Sequence, residues 1–170
     1  DYLNSVKAFF VMQDTYKEFP DNDKFEGAFV NRDIYNMRAR NYILSRLENF
    51  ENKAPITIEN YTIEHIMPQN KNLSLEWQTN LGPQWQEVQK KYLHTIGNLT
   101  LTAYNSEMSD RPFLDKMDML GGFKESALRI NKYVVLQNEW NETHIQERAN
   151  ELAKKAEVIW PYPALTATEL

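Results

Sequence analysis

The stretch Pro55-Ile56-Thr57-Ile58-Glu59-Asn60-Tyr61-Thr62-Ile63-Glu64-His65-Ile66-Met67-Pro68 is where the chain changes from a helical to an extended pattern. It is rich in β-branched residues and partly alternates apolar with polar, which predicts a strand ending at Pro68. A polar, Asn-rich run over 69–82 reads as a loop. Residues 84–93 carry Trp85, Val88 and Tyr92 at the spacing of a short amphipathic helix. Gly97 breaks that helix, and Leu99-Thr100-Leu101-Thr102 alternates as a second strand. A helix over 105–120 is predicted next, closed by Gly121-Gly122.

Helices are expected on both sides of this stretch. Upstream, Leu3, Val6, Phe9, Phe10 and Phe19 sit at helical spacing over 2–19, and Pro20 stops the pattern. Asp21 or Asp23 can cap a second helix that buries Phe25, Phe29 and Val30. A third, over 33–50, puts Ile34, Met37, Tyr42, Ile43, Leu44 and Leu47 on its apolar side and Arg38, Arg40 and Arg46 outward. Downstream, helices are predicted over 124–136 and 142–159, the last with Ile145, Ala149, Leu152, Ala156 and Ile159 on one stripe. The order predicts a mostly helical α+β protein with a small strand–strand–helix insert. Its parts are a helical segment over 1–54, a core over 55–120 and C-terminal helices over 121–170 packing on that core, one compact domain overall.

Composition narrows the function classes. With 170 residues, 24 acids and 19 bases, the chain carries a formal charge of −5, which argues against nucleic-acid binding by bulk charge alone. The charge is uneven: residues 1–61 hold ten acids and eight bases, 62–133 hold eight of each, and 134–170 hold six acids and three bases. The middle therefore sums to zero and gives mild support for a site there. Zero cysteines exclude disulfide staples, thiol nucleophiles and thiolate metal sites, and fit a cytoplasmic setting. No apolar run approaches the roughly 18 residues that cross a bilayer. The opening Asp1-Tyr2-Leu3-Asn4 is neither signal peptide nor initiator methionine, and reads as a piece excised from a longer protein.

The chemistry-bearing residues gather between 63 and 116: Glu64-His65 at a strand end, Gly97-Asn98-Leu99, then Asn105 and Lys116 on the predicted helix. Singly, each has a bland reading, as a structural histidine, a turn or a surface residue. Strand neighbours point to opposite faces, so Glu64 and His65 share a site only where the chain turns or bulges before Pro68. His94 reads as a capping or packing residue and His144 as structural. Trp77, Trp85, Trp140 and Trp160 read as core or groove packing rather than base-stacking platforms. Lys90, Lys91, Lys124, Arg129 and Lys132 read as solvated.

In this order, Glu64-His65-Ile66-Met67-Pro68-Gln69, then His94-Thr95-Ile96-Gly97-Asn98-Leu99-Thr100-Leu101, then Asn105…Phe113…Lys116, the chain resembles the His-Me finger, or HNH, nucleases. More narrowly it resembles the GmrD-type domain, the C-terminal part of GmrSD-like modification-dependent (type IV) restriction endonucleases. Arg148…Leu152…Ala156…Ile159-Trp160-Pro161 is similar to that family's C-terminal helix, and Arg40-Asn41-Tyr42-Ile43-Leu44 to its preceding helical segment.

The resemblance implies a ββα-metal finger flanked by N- and C-terminal helices, and a metal-dependent endonuclease that cuts foreign or phage DNA. It implies His65 as general base and Glu64 and Asn105 as ligands of one divalent ion, Mg²⁺ or Mn²⁺. It also implies Asn98 as the brace that orients the histidine. Lys116 would meet a phosphate near the scissile bond, and Ser109 competes with Asn105 as the helix ligand. The zinc knuckles of many HNH proteins are absent with the cysteines. A ParB-like nucleotide-hydrolysing domain commonly precedes such a domain, and homo-oligomers are compatible with it. The alternatives are a non-catalytic DNA-binding or subunit-docking module of HNH-like shape, and a helical regulatory domain with a fortuitous Glu-His.

Overall fold

A computed structural model describes residues 2–14 and 18–165. Eight α-helices among them surround one two-stranded sheet: α1 Tyr2–Val11, α2 Asn22–Asn31, α3 Arg40–Glu48, β1 Thr62–His65, α4 Leu75–Leu81, α5 Trp85–Tyr92, β2 Leu99–Thr102, α6 Asn105–Met108, α7 Phe113–Asp118 and α8 Glu142–Ile159. The α+β class and its helical weight are as the pattern predicts. β1 and β2 pair antiparallel in the register Thr62↔Thr102, Ile63↔Leu101, Glu64↔Thr100 and His65↔Leu99. The strand is shorter than the β-branched run that announces it and ends at His65 rather than Pro68, because only Thr62–His65 find a partner strand.

Local chemistry explains where the helices begin. Asp21 accepts the Lys24 N–H at 2.8 Å, and Asn141 accepts the His144 N–H at 3.2 Å, so α2 and α8 start as N-capped helices. Elsewhere the expected boundaries move. The expected helix over 2–19 ends at Val11, and residues 15–17 lie outside the described residues. Over 33–39 the chain turns instead of coiling, because the Asp33 carboxylate takes both the backbone and side-chain N–H of Asn36 at 3.0 and 2.7 Å. The loop over 69–82 contains α4, capped by Ser74 and driven by Trp77, Leu73 and Leu81, all buried.

The helix expected over 105–120 is broken in two. Ser109 adopts φ +39, in the left-handed region, and Pro112 stands immediately before α7. Residues 124–136 form three short 3₁₀ turns rather than an α-helix. Their backbone groups find partners elsewhere: the buried Glu48 carboxylate accepts the N–H groups of Arg129 and Ile130 at 3.0 and 2.8 Å.

Two apolar clusters flank the sheet. The first joins Phe29, Ile34, Leu44, Leu47, Leu99 and Leu101 to Ala149, Leu152 and Ala156, and so draws on all three expected segments of the chain. The second gathers Ile66, Met67, Trp77, Phe113, Trp140 and Ile145 under the far end of β1. Helix α8 serves both. Between them its wholly buried Arg148 donates to the carbonyls of Ile96, Gly97 and Leu99 at 3.0, 2.8 and 2.8 Å, and to Ile130 at 3.2 Å. This guanidinium pins the helix to the turn that leads into β2.

Candidate active site

β1 ends between two different environments, and its last two residues face one each. On one side Glu64, 3% exposed, accepts a hydrogen bond at 2.5 Å from the Lys116 ammonium, which is itself wholly buried. Lys116 also donates to the carbonyls of His65 and Ile66 at 3.0 and 3.2 Å, so all its donors are used within the protein. Burial pushes the Glu64 carboxyl up and the Lys116 ammonium down, and each charge opposes that drift in the other. The phosphate contact expected of Lys116 is not its geometry here. Its charge is turned inward onto Glu64.

On the other side His65, 4% exposed, places Nε2 at 3.0 Å from Nδ1 of His94. Tyr35 stacks on the His94 ring with centroids 5.1 Å apart, and meets His65 edge-on at 4.5 Å. The His94 carbonyl accepts the N–H groups of Ile34 and Tyr35 at 2.9 and 3.3 Å, which fastens the segment before α3 to the end of α5. Burial, with the His94 and Lys116 charges adding, pushes His65 down to about 3. The imidazole is therefore neutral near pH 7, the form that can accept a proton.

From the sequence His94 reads as a capping or packing residue, and Asp33 and Tyr35 as parts of a helix. The antiparallel register carries the missing signal. Because His65 pairs with Leu99, the residues just before Leu99 must come back alongside the end of β1.

Asn98 lies beneath the loop that follows β1 and is wholly buried. Its amide accepts the Met67 N–H at 2.8 Å and donates to the Met67 carbonyl at 3.0 Å, while its oxygen also takes the Trp140 Nε1–H at 3.2 Å. A side-chain amide that satisfies both backbone groups of one residue acts as a substitute strand for it. Asn105, the first residue of α6, donates to the Ile63 carbonyl at 2.7 Å and so keeps that helix against β1.

Glu64, His65, Asn105, Ser106, Ser109 and Asp110 line one polar cleft of about 260 Å³. The cleft thus unites three of the expected residues. Asn98 and Lys116 support it from behind, and the half-buried His144 stacks on Trp140 away from it. Trp77 and Trp140 are also core residues, each about 1% exposed or less.

Among the described residues, no three of His, Cys, Asp and Glu converge closely enough to cage a metal ion by themselves. The residues that line the cleft do carry hard oxygen donors, the carboxylates of Glu64 and Asp110 and the amide oxygen of Asn105. That set fits a Mg²⁺-type ion, which takes few protein ligands and completes its shell with water and phosphate oxygens. It does not fit a structural zinc, which takes four nitrogen or sulfur ligands.

A small antiparallel sheet with a short helix beside it thus borders a polar cleft that an acid and a histidine both line. Comparison with known families adds a finding at the level of the whole chain. The model of the GmrSD restriction endonucleases, C-terminal domain, matches residues 19–155, and the chain belongs to that family. A search of curated proteins returned no match. None of the described helices is long and apolar enough to cross a membrane.

Proposed function

We propose that this domain is a metal-dependent DNA endonuclease of the HNH type, hydrolysing phosphodiester bonds in the restriction of foreign or phage DNA. The observation that carries the reading is the meeting of Glu64, His65 and Asn105 on one polar cleft, in a chain of a restriction-endonuclease family. The neutral His65 imidazole accepts a proton from a water aimed at the scissile phosphorus. Glu64 and Asn105 would hold a divalent ion, Mg²⁺ or Mn²⁺. When bound, such an ion supplies neutralisation of charge on the phosphate and the leaving oxygen. Asn98 keeps the Met67 backbone, and with it the end of β1, in one conformation. Lys116 holds Glu64 and the backbone of His65 in register with each other. The substrate is DNA met in the cytoplasm, and a ParB-like nucleotide-hydrolysing domain accompanies this one in the whole protein, with homo-oligomers compatible.

The test is nicking of plasmid DNA with Mg²⁺ or Mn²⁺ by the wild type and by His65→Ala. The variant is expected to lose about 100-fold or more in rate, and chelation with EDTA to stop the wild type. Equal cleavage by both proteins would remove His65 as the base. One observation favours a second reading, a non-catalytic DNA-binding or docking module of the same shape. The carboxylate of Glu64 already has a cation in Lys116. Divalent-ion titration decides between them: an affinity that Glu64→Ala leaves unchanged, with DNA binding intact, favours the module.

A further inference from the structure

We infer that His94 is a positioning residue for His65, holding its imidazole in the tautomer that leaves Nδ1 free to accept a proton. The inference rests on the reading of His65 as the base. Two ring nitrogens 3.0 Å apart share a single hydrogen. If His65 Nε2 carries it, His94 Nδ1 accepts, and the lone pair of His65 lies on Nδ1, the nitrogen that faces away from this hydrogen bond. If His94 carried it, the proton of a neutral His65 would sit on Nδ1, and the ring could accept nothing there.

Histidine χ2 is a broad torsion, so a ring at a strand end does not choose its orientation unaided. The surroundings of His94 supply the choice. Its carbonyl is fixed by two N–H groups of the segment before α3, and its ring is stacked on Tyr35, which also touches His65. Asp33, itself fixed by Asn36, is close enough to act on both rings. Tyr35, His94 and His65 therefore form one packed unit, of which only His65 is among the residues that line the cleft. Partners that orient metal-ligating histidines in this way are worth roughly 10–100-fold in metal affinity or activity, and a similar scale is expected for His94.

The experiment has two readouts on the full chain. Long-range ¹H–¹⁵N spectra of the imidazoles should show wild-type His65 protonated on Nε2 alone. His94→Leu should give mixed tautomers, and His94→Asn, whose Oδ1 can replace the Nδ1 acceptor, should restore the single form. In DNA cleavage with Mg²⁺, His94→Leu should lower kcat about tenfold or more with little change in KM, and His94→Asn should recover most of it. A wild-type His65 carrying its proton on Nδ1, or a His94→Leu protein with unaltered tautomer and rate, overturns the inference. The wild-type spectrum alone tests the tautomer even where a variant folds poorly. Wild-type cleavage by His65→Ala would instead overturn the base reading, while the spectra continue to report on the hydrogen bond.

Discussion

Lys116 carries its ammonium into the interior, where an unpaired charge would be strongly disfavoured, and meets Glu64 at 2.5 Å. Read from sequence, an isolated helical lysine downstream of a nuclease-like motif suggests a phosphate contact. Nothing in one chain position reveals that its side chain turns inward. The pair makes a definite prediction. Lys116→Met leaves a buried carboxylate and two carbonyls without their donor, and should cost about 3–5 kcal/mol in urea denaturation. Glu64→Gln combined with Lys116→Met should cost clearly less than the sum of the two single changes. Strict additivity would mean that the two groups do not hold each other. Asn98 is the opposite case: by itself a Gly-Asn before a strand reads as a turn, the resemblance implies a brace, and its partners Met67 and Trp140 come only from the fold.

At the scale of elements, α8 is held against the turn before β2 by contact too close for any side chain but hydrogen. A Cβ on Gly97 would lie 2.2 Å from the Ile145 carbonyl oxygen and 3.1 Å from the Ala149 Cβ. Gly97→Ala should therefore push α8 outward and destabilise the fold by about 1–3 kcal/mol, seen as a lower Tm. An unchanged Tm would mean that the helix does not seat there. β2, α5 and α8 were legible because each has a clean period and a clear stop, whereas β1 was legible in place but not in extent. α4 was hidden by its polar residues, since its drive comes from Trp77 packing across the molecule on Phe113. The 3₁₀ turns after Gly122 were hidden because Glu48, some 80 residues earlier in the chain, satisfies their N–H groups.

For the molecule as a whole, the buried neutral His65 links folding to pH. The unfolded chain binds a proton on this residue below about 6.5, whereas the folded chain does so only near 3. His65 thus contributes stability that is complete above 6.5 and declines as pH falls through the window to 3, at no more than about 1.4 kcal/mol per pH unit. Urea midpoints of wild type and His65→Gln should diverge in slope across that window, with the variant less acid-sensitive. Parallel slopes would mean that the histidine is as free to protonate in the fold as outside it.

Length and the change of period at Pro55 were enough to determine a helical α+β chain with a two-stranded centre, while Glu64, His65 and Asn105 were singled out only by what the family resemblance implies. Such periods are properties of neighbours along the chain, where spacing and propensity act directly. The tertiary structure alone decided that His94 and Tyr35 flank His65 and that Lys116 belongs to Glu64. It also decided that Arg148 locks α8 to β2. Each of those contacts joins residues about 30 or more apart in the chain, and forms only because burial leaves a polar group no partner but the one that packing brings to it.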